Sequence, residues 1–388
     1  MKHSLVSCIV PMYNAENTIL ECLQSLVALD YQPLQVVLVD DGSTDHSLRI
    51  AQDFIDDFDG EGVEFSIITE DRNRGISYAK NRGLEKMRGE YFFFAAADDV
   101  QFFNRVSLPL AYMQKNPGVD VVFLDCELWH DSRDGHQSAR RGFPEGMTNE
   151  NAFLYQLKRS YFWSGFLFAR SSAVNQFDES LSSAVDYDWY FKQFFDGKTM
   201  HFLDVPVMKY RLHDKNTSKN LSETSANVLK ILKKYNFSKT YENLCQSCPS
   251  DEVHLSFAWL DQTVGRYPEA LNKISNLQNQ KGEAQFLKGV LFASLKQFNQ
   301  AIDHFRSLCE KKNALPECLN NLAVCLLNSG GVVSDAVGLL ERAGSINPDY
   351  LDAPKNLWIL REETFNYSHL HLTTKPLRSI LTHVDSYE

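Results

Sequence analysis

Short apolar strand patterns alternate with helical ones through the first hundred residues, and few folds accommodate that order. Leu5 to Val10 reads as a strand, and Pro11, which has no N–H to give a ladder, marks its end. Ile19, Leu23, Leu26 and Val27 then recur at helical spacing. Gln35 to Val39 is a buried-type strand closed by Asp40-Asp41-Gly42-Ser43. Thr44 or Asp45 is suited to cap a helix that turns Leu48, Ala51 and Ile55 inward. Acidic Asp53 to Glu61 reads as a solvated helix end and loop. Glu64 to Ile68 reads as another strand, Tyr78 to Met87 as a helix and Glu90 to Ala96 as a strongly apolar strand. Consecutive βαβ units of this kind predict a largely parallel sheet with helices on both faces.

From about Asp120 the pattern becomes mixed. Val121 to Leu124 and Phe166 to Ala169 read as strands, Asp186 to Phe195 as an aromatic-rich helix ended by Gly197, and His201 to Tyr210 as a last strand. The polar stretch Asp214 to Ser225 reads as a linker. Helical periodicity then dominates from Val228 to Arg361. Within it, 265–270, 296–301 and 331–336 share one layout, a turn followed by Ala270, Ala301 or Ala336, with Ile274, Phe305 or Leu340 four residues on. Ala301 and Ala336 lie 35 apart and Ala270 and Ala301 lie 31 apart, close to a ~34-residue period. This layout, with Asn347-Pro348 after the last copy, resembles degenerate tetratricopeptide repeats; irregular helical packing is the competing reading. The expected organisation is an α/β domain over 1–218, a linker or connecting helix over 219–240, helical repeats over 241–365 and a tail over 366–388.

The 388 residues are enough for two or three domains. At 44% hydrophobic and 23% charged, the chain can bury a sizeable core. A net charge of −11 disfavours a broad electrostatic surface for nucleic acid. It also means that a phosphorylated substrate needs a metal ion or local cations. No run approaches the ~20 apolar residues of a membrane span; the strongest, Tyr91 to Ala97, is strand-sized. The first residues lead straight into a strand without a signal-peptide pattern. The eight cysteines are irregularly spaced and form no disulfide framework. Cys245 and Cys248 make a lone C-x-x-C, open to zinc, redox or plain helix packing. The expected setting is cytoplasmic, extending to the inner face of a membrane as a peripheral protein.

No glycine-rich phosphate loop follows the first strand, whose turn is Pro11-Met12-Tyr13-Asn14. Acidic residues instead follow strands: Asp40 and Asp41 after the second, Asp98 and Asp99 after the apolar Tyr91 to Ala97. Ligands of open α/β sheets bind at those carboxyl ends. Two adjacent carboxylates repel unless something intervenes, and a hard divalent cation satisfies them and bridges to a diphosphate. The competing reading is an acidic helix cap opening the segment that runs to Leu110.

Four blocks, Val6 to Asn14, Val39 to Asp45, Asn73-Arg74-Gly75 to Asn81-Arg82-Gly83 and Gly89 to Asp99, occur in order and spacing. Together they resemble the family 2 glycosyltransferases of the GT-A fold, over roughly residues 4 to 218. The resemblance implies an inverting transfer from a nucleotide-sugar, a UDP-sugar, to a hydroxyl of a saccharide or protein acceptor, with Mn2+ or Mg2+ as cofactor. It places Pro11, Tyr13 and Asn14 around the base, with Tyr13 stacking on it, and Asp41 on the base edge. Lys80 stands at the family's usual Arg and would approach the nucleotide or its phosphates. Asp98 and Asp99 fall in the D-x-D region that binds metal and donor. Asp186, in Asp186-Tyr187-Asp188-Trp189, matches the general base, and His213, after Tyr210-Arg211-Leu212, matches a His that closes on the diphosphate and ligates the metal. Against these stand plainer roles: core packing for Tyr13, a helix N-cap for Asp186, a surface loop for His213.

Two positions depart from the pattern. Ala96 stands where most members carry the first Asp of D-x-D, and Val185 replaces the Glu or Gln before the base. A catalytically inactive GT-A domain that serves with its repeats as a binding scaffold is therefore the alternative. A nucleotidyltransferase lacks its Gly- and Lys-rich loop here. Residues between Phe143 and Ser172, including Tyr161, Trp163 and Arg170, are expected to choose the acceptor, and the helical repeats to bind acceptor, a protein partner or a second copy.

Overall fold

The computed structural model describes residues 4–132, 135–212, 221–247, 250–275, 277–278, 282–310, 314–347, 350, 352–361 and 366–375. The chain divides into two compact units, Met1–Asn236 and Phe237–Glu388.

The first unit opens with β1 (Val6–Met12), α1 (Ile19–Val27), β2 (Leu34–Asp40), α2 (Ser47–Asp56), β3 (Val63–Thr69), α3 (Ile76–Lys86) and β4 (Tyr91–Phe94). These strands are parallel, in the order β3-β2-β1-β4. Every residue of β1 and β2 is buried, which is why their sequences are continuous apolar runs rather than alternating ones. Pro11 does not end β1, as its missing donor led one to expect; it pairs with Val39 of β2 inside the strand. The carbonyl of Ile9 accepts from Ala95 N–H on the β4 side. Two residues later Pro11 turns its nitrogen to that same side, where β4 has already stopped. Gly83 lets α3 lie directly on β1, since a Cβ there would sit 2.2 Å from Ile9 Cγ2.

The unit continues with β5 (Val100–Gln101), α4 (Ser107–Lys115), β6 (Val121–Ser132), β7 (Gly135–Arg140), α5 (Ala152–Lys158), β8 (Leu167–Arg170), α6 (Val185–Phe195), β9 (Met200–Leu212) and α7 (Leu221–Lys234). Strand β8 is antiparallel to both β4 and β6, β9 is parallel to β6, and β5 is antiparallel to β9. The sheet is therefore parallel in its first half and mixed in its second. Strand β6 runs eight residues beyond Leu124, the last apolar position the sequence pattern picks out. Its extension is organised by charge: the fully buried Asp125 accepts from Arg140 Nε at 3.1 Å, Arg141 Nε at 3.2 Å and Gly142 N–H at 3.0 Å. The β6–β9 register shifts on either side of Asp125.

The second unit is helical: α8 (Phe237–Ser247), α9 (Asp251–Thr263), α10 (Tyr267–Ser275), α11 (Gly282–Ser294), α12 (Phe298–Cys309), α13 (Pro316–Asn328), α14 (Val333–Ile346) and α15 (Asp352–Arg361). Helices pack as consecutive pairs, α9 with α10, α11 with α12 and α13 with α14. Ala270, Ala301 and Ala336, and Ile274, Phe305 and Leu340 four residues after them, are all fully buried, so the repeated layout marks the helix crossings. Pro348 and Cys248 lie outside the described residues. No described helix is long and apolar enough to cross a membrane.

Candidate active site

The turn after β1 leaves Tyr13 46% exposed, which excludes a core-packing role for it. Asn14 adopts a left-handed φ of 49°, a conformation its short polar side chain tolerates. Its Oδ1 accepts from Thr44 N–H at 2.9 Å, and its own N–H donates to Ser43 Oγ at 3.0 Å. The turns after β1 and β2 are thereby locked together, with buried Pro11 beneath. Asp45 bonds the first N–H of α2, that of Ser47, at 2.9 Å.

Asp41 is buried at the end of β2, where both carboxylate oxygens accept backbone N–H groups at 2.8 Å, from Arg74 and Gly75. It braces the loop entering α3. Each oxygen keeps further lone-pair capacity, so the expected bond to a base edge is additional to this one.

Past β4 a turn closed by Asp99 N–H on Ala96 O presents Asp98 half-buried and Asp99 buried. Helix α4 starts only at Ser107, so the pair is not a helix cap. Asp99 Oδ1 accepts from Arg211 N–H at 3.0 Å, and Arg211 Nε donates to Asp98 O at 3.0 Å. The Arg211 guanidinium also lies 4.0 Å from the Trp129 ring and reaches Glu21. Burial, reinforced by the neighbouring Asp98 charge, holds the Asp99 carboxyl well above its ordinary range, and Arg211 offsets this in part.

Asp186 is the second residue of α6, whose N-cap position is Ala184. Its carboxylate does not cap the helix: Oδ1 accepts from Ser164 Oγ at 2.5 Å and from Lys80 Nζ at 3.2 Å. Lys80 also donates to Ser164 Oγ at 2.5 Å and lies 4.8 Å from the Phe177 ring. Lys80, expected near the nucleotide, thus has its ammonium on the Asp186 carboxylate. Oδ2 takes no hydrogen bond from the described residues, and the side chain is 27% exposed. The following Asp188 and Trp189 are structural: Asp188 accepts from Lys234 Nζ and Tyr235 Oη, and Trp189 Nε1 donates to Asn175 O.

Tyr210, on β9, draws these groups into one neighbourhood. Burial and then the charges of Asp99, Asp98 and Asp186 push its hydroxyl pKa up. Its ring packs on Trp163 and Phe166, either side of Ser164. Tyr210, Arg211 and Ser164 thus belong to the site without having been singled out in the sequence. The first two lie within the block ending at His213, whereas Ser164 carries no local signal. His213 lies outside the described residues. Arg170, expected among acceptor-choosing residues, is a brace, bonding Val119 O at 3.0 Å and Tyr91 Oη at 3.0 Å. Among the described residues no three His, Cys, Asp or Glu side chains converge on one point. The Asp98-Asp99 pair nonetheless supplies adjacent carboxylate oxygens, the donor type that suits a hard divalent cation.

Residues 7–177, less than half of the chain, match the family model described as "Glycosyl transferase family 2". An uncharacterised glycosyltransferase of Rickettsia conorii is 26% identical over 226 residues, 57% of this chain and 36% of that protein. The uncharacterised glycosyltransferase EpsJ of Bacillus subtilis is 30% identical over 224 residues, 53% of this chain and 61% of that protein. The chain thus spans between 36% and 61% of the length of these relatives. Among solved structures, S. aureus TarS 1-349 in complex with UDP-GlcNAc aligns with a TM-score of 0.49 at 18% identity, covering 88% of this chain and 91% of that one. The matched stretch lies within the N-terminal unit. The expected fold class, a GT-A domain followed by an all-α region, is borne out.

Proposed function

We propose that this chain is an inverting, divalent-metal-dependent glycosyltransferase that moves a sugar from a nucleotide-sugar, a UDP-sugar, to a hydroxyl of a saccharide or protein acceptor. The observation that carries this reading is that β9 joins the two acidic places: Arg211 N–H bonds Asp99, and the neighbouring Tyr210 ring packs on Trp163 and Phe166 beside Ser164, the partner of Asp186. Asp186 Oδ2 takes the proton of the acceptor hydroxyl as the hydroxyl oxygen bonds the anomeric carbon and the nucleoside diphosphate leaves from the opposite face. Lys80 and Ser164 hold Oδ1, fixing the carboxylate's direction. Tyr13 offers its exposed ring to the base, and Asp41 holds the loop beside it. Asp98 and Asp99, with His213 as a further ligand, would hold a divalent cation, which would neutralise the charge of the departing diphosphate. A single displacement inverts the anomeric centre. The helical unit binds acceptor, a protein partner or a second copy.

A thermal-shift panel of UDP-, GDP- and CDP-sugars with and without MnCl2 tests the donor class. Stabilisation confined to UDP-sugars with Mn2+ is expected; a shift with no nucleotide-sugar refutes it. Ala96 and Val185 favour a second reading, a binding scaffold without catalysis. Calorimetry separates the two, because a scaffold binds acceptor yet shows no metal-dependent uptake of UDP.

A further inference from the structure

Two residues before Asp186, Ala184 adopts a left-handed backbone with φ 57° and ψ 21°. Its Cβ makes that conformation unfavourable, and alanine has no polar side chain to offset the strain. The Ala184 carbonyl nevertheless closes the first turn of α6, accepting from Tyr187 N–H at 3.0 Å and Asp188 N–H at 3.3 Å. The direction in which Asp186 leaves the helix therefore depends on a residue that relaxes elsewhere unless its surroundings hold it.

Helix α7 holds it. Glu223, Asn227, Lys230 and Lys234 follow one another at spacings of 4, 3 and 4, which puts them on one face of that helix. Glu223 accepts from Ser182 Oγ, and Lys230 Nζ donates to Ser180 Oγ at 2.8 Å. Asn227 Nδ2 donates to Ser183 Oγ at 3.0 Å and shares its hydrogens with Ser182 Oγ at 3.2 Å and Ser183 O at 3.4 Å. Lys234 Nζ reaches Asp178 at 3.2 Å and both oxygens of the buried Asp188 at 3.0 Å. Ala184 is thus bracketed, by Asn227 on Ser183 before it and by Lys234 on Asp188 after it. Helix α7 also buries Ile231 and Leu232, so apolar packing serves to dock it. Bonds from exposed side chains to serine hydroxyls add little stability; what they fix is the path of the chain into α6.

We propose that Asn227 and Lys234 are positioning residues: from α7 they hold Ala184 left-handed and so direct the Asp186 carboxylate towards the acceptor. This rests on the transfer proposed above, and it adds a source of alignment lying outside the strands and turns that carry the donor residues.

The test uses the full chain, MnCl2 and the UDP-sugar that stabilises it most in the thermal-shift panel. Hydrolysis of that donor is followed: water gives its proton to Asp186, its oxygen bonds the anomeric carbon, and UDP leaves. Amide hydrogen exchange is read in parallel. Asn227→Ala keeps α7 intact, since Ala is the strongest helix former. It is expected to lower kcat about 5- to 10-fold, with KM for the donor and affinity for UDP unchanged. It should also speed exchange at the Tyr187 and Asp188 amides, whose acceptor is Ala184 O. Glycine takes up a left-handed φ without penalty, so adding Ala184→Gly is expected to restore kcat to at least about half the wild-type value and to slow those amides again. A loss of packing alone is not repaired by removing a methyl group. If Asn227→Ala does not fold, Ser183→Ala, which removes one hydroxyl partner of Asn227 and leaves α7 unaltered, replaces it in both readouts. The proposal is overturned if kcat stays within about twofold of wild type, or if Ala184→Gly fails to restore it. A wild type that turns over no donor defeats the underlying reading instead. The exchange comparison needs no turnover, and unchanged exchange at the two amides overturns the hold on Ala184 by itself.

Discussion

Asp186 occupies a position where an acidic residue ordinarily serves a helix terminus, yet its carboxylate turns to Lys80 and Ser164. The D-Y-D-W block singles Asp186 out through the family resemblance it carries. The partners were not, because contacts spanning 106 and 22 residues leave no periodicity to read. Lys80→Met is expected to lower transfer by about 10- to 100-fold and stability by about 1–3 kcal/mol, the size of a lost charged hydrogen bond. Steady-state kinetics and urea melts check both, with Lys80→Arg recovering part of each. Asp178 provides a pH test. The Ser180 hydroxyl, and further Lys234, lower its pKa from 3.8 to about 2. A depressed folded value means stabilisation present above about pH 4 and lost as pH falls towards 2. Asp178→Asn should therefore lower the unfolding free energy read from urea melts at neutral pH, by no more than ~1 kcal/mol for a partly exposed pair. The difference from wild type should vanish near pH 2.

At the scale of elements, the βαβ half was legible because its strands are buried on both faces and read as unbroken apolar runs. The extension of β6 and the whole of β7 were not, since Asp125 and two arginines organise them in place of apolar alternation. The helical unit was legible through its period. Small residues at crossings carry that signal: a Cβ on Gly289 would lie 2.7 Å from Phe305 Cζ, between α11 and α12. Gly289→Val is expected to cost about 1–3 kcal/mol through overpacking, read as a lowered melting temperature of the helical unit. Binding of UDP by the α/β unit should be unaffected in conditions where wild type and variant both stay folded.

For the whole molecule, the shift from alternating to purely helical periodicity announced two parts. The structure sets their boundary between Asn236 and Phe237, with α7 in the first unit. Acidity shapes the chemistry at this scale. A chain of net charge −11 repels a diphosphate, so chelating divalent ions with EDTA should abolish UDP uptake, and MnCl2 should restore it, as followed by calorimetry. The central claim is that Asp186 deprotonates the acceptor while the aspartate rim holds the donor. It is tested most directly by comparing transfer rates of wild type and Asp186→Asn at saturating donor, with UDP affinity measured on both. A fall of about 10²- to 10⁴-fold in rate with unchanged UDP affinity is predicted; an Asp186→Asn enzyme that transfers at the wild-type rate would contradict it.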